Sequence, residues 1–459
     1  MEKAGIPTVS ITRKGFEAVV GNAFAGLGFS SDAAQYVLPM ETFLVGSDLA
    51  PVAANMGKII DGLTSWESRA DGRARPVPRL RIEGGDYRDA FQNMNLEFLR
   101  NGWGDGLPLL PPTETAVKWI LAGTDLPPDA IVGAVLPRGG IATTESLAVC
   151  LAMAGGRPEY MPVLVAAVQA MTQSAWNLQH MSATTCSVYP AVIVSGPIAR
   201  QIRLNSGYGL LGPSSRHPAG ASIGRAIRLV LQDIGGATPG SGTMATFGGM
   251  RYTNAVFAED EEGLPRGWRP LGAERGFTGG SDVVTVLPAA SATNIVLSSA
   301  DATTREGVAN QYLRRIAAFM RTPNKNAYSG PRGKDMTAGV VLLGRGFVKE
   351  LAVTGWRKDD VKAFLWEQSK LPWSVAEATG LTGQMTASGF PEREPVPLTS
   401  RPEELMIVVA GGEQSGHAYW MQVGPAWAAS SKGVHLPARA TWNRLLELAE
   451  KELGPMPVG

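Results

Sequence analysis

Short β-branched apolar runs alternate with helical apolar stripes along most of this chain, and that alternation constrains its fold class more than any other feature. Residues 131–137, 190–195, 282–287, 294–298, 339–343 and 405–410 read as buried strands, rich in Val, Ile and Leu and bounded by Gly or Pro. Between them, 143–154 places Leu147, Cys150, Leu151 and Ala154 on one helical face. Residues 222–234 do the same with Ile223, Ile227, Val230, Leu231 and Ile234, and stop at Gly235-Gly236. Trp442, Leu445, Leu446 and Ala449 stripe a final helix. Alternating strand and helix predict an α/β protein with mixed or parallel sheets covered by helices.

A length of 459 residues allows about three domains, or two with one large. The segment 68–81 carries Arg69, Arg73, Arg75, Arg79 and Arg81 with two prolines and no periodicity. It marks a linker over 67–95, with a first unit at 1–66 and a large substrate-binding or catalytic domain at 96–459. Residues 3–10 read as a helix end, a glycine stop and a strand at 6–11. A parallel strand needs neighbours, so residues 1–66 are expected to be the second half of an α/β domain, incomplete by themselves. The turn-rich stretch 383–401 reads as a long surface loop.

Charge and cysteine content exclude several classes. Lys+Arg is 42 and Asp+Glu is 41, for a net charge of +1, which removes the electrostatic basis for sequence-independent nucleic-acid binding. No run reaches 18 apolar residues, so no membrane span is expected. No secretory leader is visible at the start, MEKAGIPTVS. Two cysteines, Cys150 and Cys186, cannot build a disulfide framework. A soluble cytoplasmic protein is the expectation.

The densest polar region runs from His180 to Arg228. Gly207, Gly209 and Gly212 formally match G-x-G-x-x-G, but they follow a short helix-like segment rather than a strand, and the next helix starts late. No nucleotide cofactor is expected. The better reading is a glycine-rich loop whose backbone N–H groups approach a small polar or anionic substrate. Thr184, Thr185, Asn205, Ser206, Gly207, Gly209, Arg216, His217 and Arg225 are the candidate substrate-binding residues. Cys186 reads either as a small core residue or as a nucleophilic or redox thiol. Cys150 lies on an apolar stripe and reads as core. The four histidines and two cysteines show no zinc-type spacing, while a divalent metal held by residues distant in sequence stays open. His417 follows a strand end, where open α/β sheets place ligands. Glu261 and Glu262 close an acidic run after a strand at 252–258 and could act as a base or hold a cation. Glu145 lies off the apolar stripe of its helix and could face a cleft.

Several motifs together resemble a known family. Trp103 to Glu114 (WGDGLPLLPPTE) and Thr144 to Pro162 are similar to the opening and the helix pair of the UGSC family of (seleno)proteins. Ala183-Thr-Thr, Ser195-Gly-Pro197, Asn205-Ser-Gly207, 221–228 and 258–262 continue the pattern in order. Members usually open with a domain bearing a Cys- or selenocysteine-Gly-Ser-Cys motif, similar to the selenoprotein subunit of glycine and betaine reductases, followed by a helix and E-x-x-GIPTV. Here Met1-Glu-Lys-Ala-Gly-Ile-Pro-Thr-Val9 matches the stretch just after that motif. The resemblance implies a separate short subunit carrying the Cys/Sec-Gly-x-Cys motif and pairing with residues 1–66. Two departures matter: the family usually has Cys where Gly156 stands and His where Cys186 stands, so its chemistry does not carry over unmodified.

The leading expectation is therefore the large subunit of a two-component thiol- or selenol-dependent enzyme, an oxidoreductase or lyase, with Cys186, His417, Glu262 and Glu145 as catalytic candidates. An oligomer is expected. A redox-neutral lyase or hydrolase, with or without a metal, and a non-catalytic scaffold are the rivals.

Overall fold

The structure is a computed structural model that describes residues 6–26, 34–65, 79–248, 255–296, 302–323, 337–387, 389–423 and 428–455. The first unit contains β1 (Ser10–Arg13), α1 (Glu17–Gly26), β2 (Gln35–Leu38), α2 (Ala50–Ala54) and α3 (Met56–Thr64). β1 and β2 pair in parallel, from Ser10 opposite Gln35 to Arg13 opposite Leu38. No third strand among the described residues joins them. Leu38 and Ile59 are buried, whereas Ile11, Phe43, Leu44, Leu49, Ile60 and Leu63 are exposed. A two-stranded parallel sheet with so little covered is far from the usual fully sandwiched arrangement.

The body begins with α4 (Tyr87–Arg100) and α5 (Glu114–Leu121), capped by Asp86 and Thr113. The hairpin β3 (Ile131–Val135) and β4 (Gly140–Thr143) leads into α6 (Thr144–Met153). Thr143 and Ser146 form a capping box there. Then come α7 (Met161–Met171), α8 (Leu178–Ala183), β5 (Tyr189–Ser195), α9 (Pro197–Gln201), α10 (Ala219–Leu229) and β6 (Val256–Ala258). A short α11 (Leu271–Glu274) precedes the 14-residue β7 (Val283–Val296). The second half holds α12 (Arg305–Met320), β8 (Gly339–Leu343), α13 (Arg345–Val353), α14 (Lys358–Gln368), α15 (Trp373–Ala378), α16 (Thr382–Ala387), β9 (Met406–Val409), β10 (His417–Val423), β11 (Ser430–Gly433) and α17 (Arg439–Leu453).

The main sheet has the order β6-β5-β7-β10-β8-β9, with β11 also on β7. β5 is parallel to β6, β8 is parallel to β9, and the other pairs are antiparallel. Read inward from either edge, the pattern is the same: a parallel pair, then an antiparallel step onto a central strand. The connectivity repeats as well. The series α7, β5, α10, β6, β7 corresponds to α12, β8, α14, β9, β10. α10 packs on α7 and β6 as α14 packs on α12 and β9. The body is thus an internal duplication about a pseudo-two-fold axis between β7 and β10.

The sheet curls until its edges meet. The Asp260 N–H donates to Val409 O at 2.7 Å, and the Gly411 N–H to Ser206 O at 2.8 Å. Phe257, Leu287, Leu342, Val408 and Met421 fill the inside of the curl. Val192, Val194, Val284 and Val286 face outward into a core with α6, α7 and α10. Val341, Leu343, Ile407 and Trp420 do so under α12 to α14. Strands buried on both faces read as continuous apolar runs, which is why the sequence shows runs and not alternation.

Several boundaries differ from expectation. The runs at 282–287 and 294–298 join in one strand, β7, over 283–296, because Pro288 and the small residues after it stay extended between β5 and β10; residues 297 and 298 lie outside the described residues. The run at 131–137 is a partly exposed hairpin strand, not a buried one. The helix expected at 222–234 starts earlier, at Ala219, and passes into a π-turn over Val230–Ile234 before the glycines. The loop expected at 383–401 opens as α16. Of the strand expected at 252–258, β6 covers 256–258, and residues 252–254 lie outside the described residues. So do Arg69, Arg73 and Arg75 of the linker.

Candidate functional site

The carboxyl ends of β5, β6, β8 and β9 converge where the sheet edges meet, and this is where a ligand was expected. The chain closes this junction with its own side chains. Glu261 Oε1 accepts the Gly196 N–H at 2.7 Å, and Asp282 Oδ1 accepts the Ile198 N–H at 2.7 Å, so carboxylates of the protein fill the start of α9. Arg345 clamps Asp260 with two bonds of 2.5 and 2.6 Å across the pseudo-two-fold. A Cβ on Gly346 would strike the Glu413 carbonyl, so the α13 start needs glycine to pack there. Glu259 is buried, and its Oε2 accepts from Ser195 Oγ at 2.9 Å and the Leu271 N–H at 2.7 Å. Burial pushes its carboxyl up to about 7, against the lowering effect of Lys358.

The expected glycine-rich loop belongs to the same closed junction. Asn205 Oδ1 accepts the Gly207 N–H and its amide donates to Tyr208 O, each at 2.9 Å. The Gly212 N–H bonds Gly209 O, Ser206 O serves Gly411, and the Tyr208 ring lies over Gly412. The Gly207 and Gly212 N–H groups are therefore bonded within the loop itself. Arg216 is exposed at the rim of the loop. His217 is half-buried, and burial with the nearby Arg216 and Arg203 charges pushes its imidazole pKa down.

A cavity of about 440 Å³ lies elsewhere, at the amino ends of β5 and β6, under α10 and the end of α8. Asp105, Ser182, Tyr189, Arg228, Thr243 and Thr246 line it together with Met181, Val188, Ile227 and Leu231. Gly220 lets α10 approach β6: a Cβ there would fall 2.6 Å from Val256 O. Behind the wall sits a charge cluster. Arg225 grips Asp105 at 2.8 and 3.0 Å and also donates to Pro108 O at 3.0 Å. Burial raises the Asp105 carboxyl, but the bonds and charge of Arg225 outweigh it, and its pKa falls below the ordinary value. Asp233 Oδ1 accepts the Gly104 N–H at 3.0 Å. Its Oδ2 is buried without a hydrogen-bond partner among the described residues. Burial, with the Asp105 charge adding, pushes the Asp233 carboxyl up to about 6.

The structure separates the sequence candidates. Thr184, Thr185 and Cys186 lie in the turn between the lining residues Ser182 and Val188. Thr184 Oγ1 accepts the Cys186 N–H at 3.2 Å, and Thr185 O accepts the Thr246 N–H at 3.0 Å. Cys186 is half-buried, while Cys150 is buried and burial raises its thiol pKa. Arg225 does not face a ligand freely, because Asp105 holds it. Glu262 is exposed and bonded to exposed Arg200. His417 comes after the end of β9 but itself opens β10, exposed, opposite Val296. Glu145 is exposed in the first turn of α6 and does not line the cavity beneath α10. Glu262, His417 and Glu145 are thus not brought together with Cys186. Asp105, Arg228 and Asp233 were not among the candidates. Their signals were an Asp-Gly turn, an arginine one helical turn after Arg225, and an acid just before Gly235-Gly236.

No family model, curated protein or solved structure matches the chain. Among the described residues, no group of three or more His, Cys, Asp or Glu side chains is placed to hold a metal ion, and no helix is long and apolar enough to cross a membrane. At Gly156, where the resembled family carries Cys, a Cβ would fall 2.2 Å from Leu151 Cδ1, so that side chain would require Leu151 to move.

Proposed function

We propose that this chain is the substrate-binding subunit of a two-component thiol- or selenol-dependent enzyme, and that a separate short polypeptide completes its first unit. The observation that carries the reading is the parallel pair β1–β2, joined by no further strand among the described residues, beside exposed Ile11, Phe43, Leu44 and Ile60. Exposed strand edges and an apolar face are the surfaces a partner with strands and a helix would cover. The partner's chalcogenolate would act on a small polar or anionic substrate held by the body, in the cytoplasm. Cys186, beside the cavity, is the thiol on this chain best placed to meet the substrate. The neighbouring hydroxyls of Thr184 and Thr185 suit a polar ligand at that edge.

Co-expression with a short polypeptide carrying a Cys-Gly-Ser-Cys motif and a following helix tests the reading. Native mass spectrometry should find a stoichiometric complex with the wild type and none with Leu44→Asp combined with Ile60→Asp. A chain that ignores the polypeptide, or a complex indifferent to those substitutions, refutes it.

A further inference from the structure

We infer that the cavity beneath α10 binds a small uncharged molecule, with an amide or hydroxyl head among the hydroxyls of Ser182, Thr243 and Thr246 and an aliphatic body on Met181, Val188 and Ile227. Such a ligand would be the substrate class of the reading above, on which the inference rests. The volume of about 440 Å³ falls in the range of small-molecule sites, roughly 300–1,000 Å³. The internal duplication separates this space from a packing need. In the second half, α14 and β9 stand where α10 and β6 stand in the first. There Leu398 and Leu405, on the way into β9, are buried in one core with Val361 and Leu365 of α14. Trp366, also on α14, donates its indole N–H to Thr399 O at 2.8 Å. Side chains thus occupy the underside of α14, whereas the described residues leave the underside of α10 open.

Asp105 and Arg228 bring charge to the lining, and both are matched. The Asp105 carboxylate accepts bonds of 2.8 and 3.0 Å from Arg225. Arg228 donates to Gln232 Oε1 at 2.9 Å and lies close enough to the Asp233 carboxylate for its charge to oppose the burial that pushes that group up to about 6. At neutral pH the two aspartates therefore balance the two arginines. A ligand carboxylate would add a third negative charge near Asp105 and Asp233, and an ammonium a third positive charge near Arg225 and Arg228. Neither would meet an unmatched opposite charge to replace its lost hydration, and an uncompensated buried charge is costly. An uncharged head loses far less on leaving water, and Ser and Thr hydroxyls can both donate to it and accept from it. The apolar side rewards burial of its hydrocarbon body.

The test is calorimetric titration of the full chain, without any partner and at neutral pH, using hexanamide, hexanoate and hexylammonium, which share one chain length and differ in charge. The amide should bind at least about tenfold more tightly than either ion, about 1.4 kcal/mol. Val188→Trp and, from the loop at 237–248, Ala245→Trp should each fill the space and abolish amide binding. No amide binding at millimolar concentration, an ion that binds within about tenfold of the amide, or amide binding that survives in a folded Trp variant overturns the inference. The wild-type comparison needs no variant to fold. Because no second polypeptide is present, failure here leaves the docking result untouched, and failure of docking leaves this result standing.

Discussion

Asp233→Asn isolates the electrostatics of the cavity's back wall. Asp233 stands with one carboxylate oxygen on the Gly104 N–H and the other buried without a described partner. Its carboxyl is raised from 3.8 to about 6, chiefly by burial. The native state therefore holds this proton more tightly than the unfolded chain does. Stability from this group is fully present below about pH 4, falls as pH rises, and is lost above about pH 6. A rise from 3.8 to about 6 corresponds to about 3 kcal/mol, of which about 2 kcal/mol falls between pH 4.5 and pH 8. Asparagine keeps the acceptor for Gly104 and removes the charge. Its amide N–H₂ would occupy the unpartnered position, an offset of about 1–2 kcal/mol that does not vary with pH. Urea denaturation of both proteins at the two pH values separates these effects. The variant should gain about 2 kcal/mol on the wild type between pH 4.5 and pH 8, whatever its absolute stability. A difference between the two proteins that stays flat across that range would refute the burial argument.

Other substitutions probe neighbouring parts. Asp105→Ala should destabilise by about 2–4 kcal/mol, because it leaves the largely buried Arg225 charge uncompensated; Asp105→Leu with Arg225→Met should recover most of that loss in denaturant titrations. Gly220→Val should cost about 1–3 kcal/mol by forcing α10 off β6, seen as a lowered midpoint. Cys186→Ala should leave the unfolding midpoint within about 0.5 kcal/mol of wild type while slowing turnover of the assembled enzyme; an unchanged rate removes Cys186 from the site.

The fold class was legible because β-branched runs such as 339–343 are buried on both faces, a demand the sequence states directly. The duplication was not. It lives in strand order and helix packing, and β5–β6 and β8–β9 share that geometry without a shared motif. The curl was also hidden, since it depends on the meeting of Asp260 with Val409 and of Gly411 with Ser206, residues far apart in the chain. The hydrogen bonding of the candidate loop was hidden for a related reason. A glycine-rich stretch such as 205–212 advertises free backbone N–H groups, but the Gly207 and Gly212 N–H groups bond Asn205 and Gly209 within the loop, and the Ser206 carbonyl bonds Gly411 from the second half of the body. Asp105, Arg228 and Asp233 gain meaning only when the 103–110 segment packs against α10 and the π-turn, more than 100 residues later.

Hydrogen–deuterium exchange on β1 and β2, in the full chain alone and with the Cys-Gly-Ser-Cys polypeptide added, tests the central idea most directly. The account expects fast exchange at residues 10–13 and 35–38 in the chain alone, well ahead of β7, and slowing at those amides when the polypeptide binds. Protection already equal to that of β7 in the isolated chain, unaltered by the addition, would contradict it.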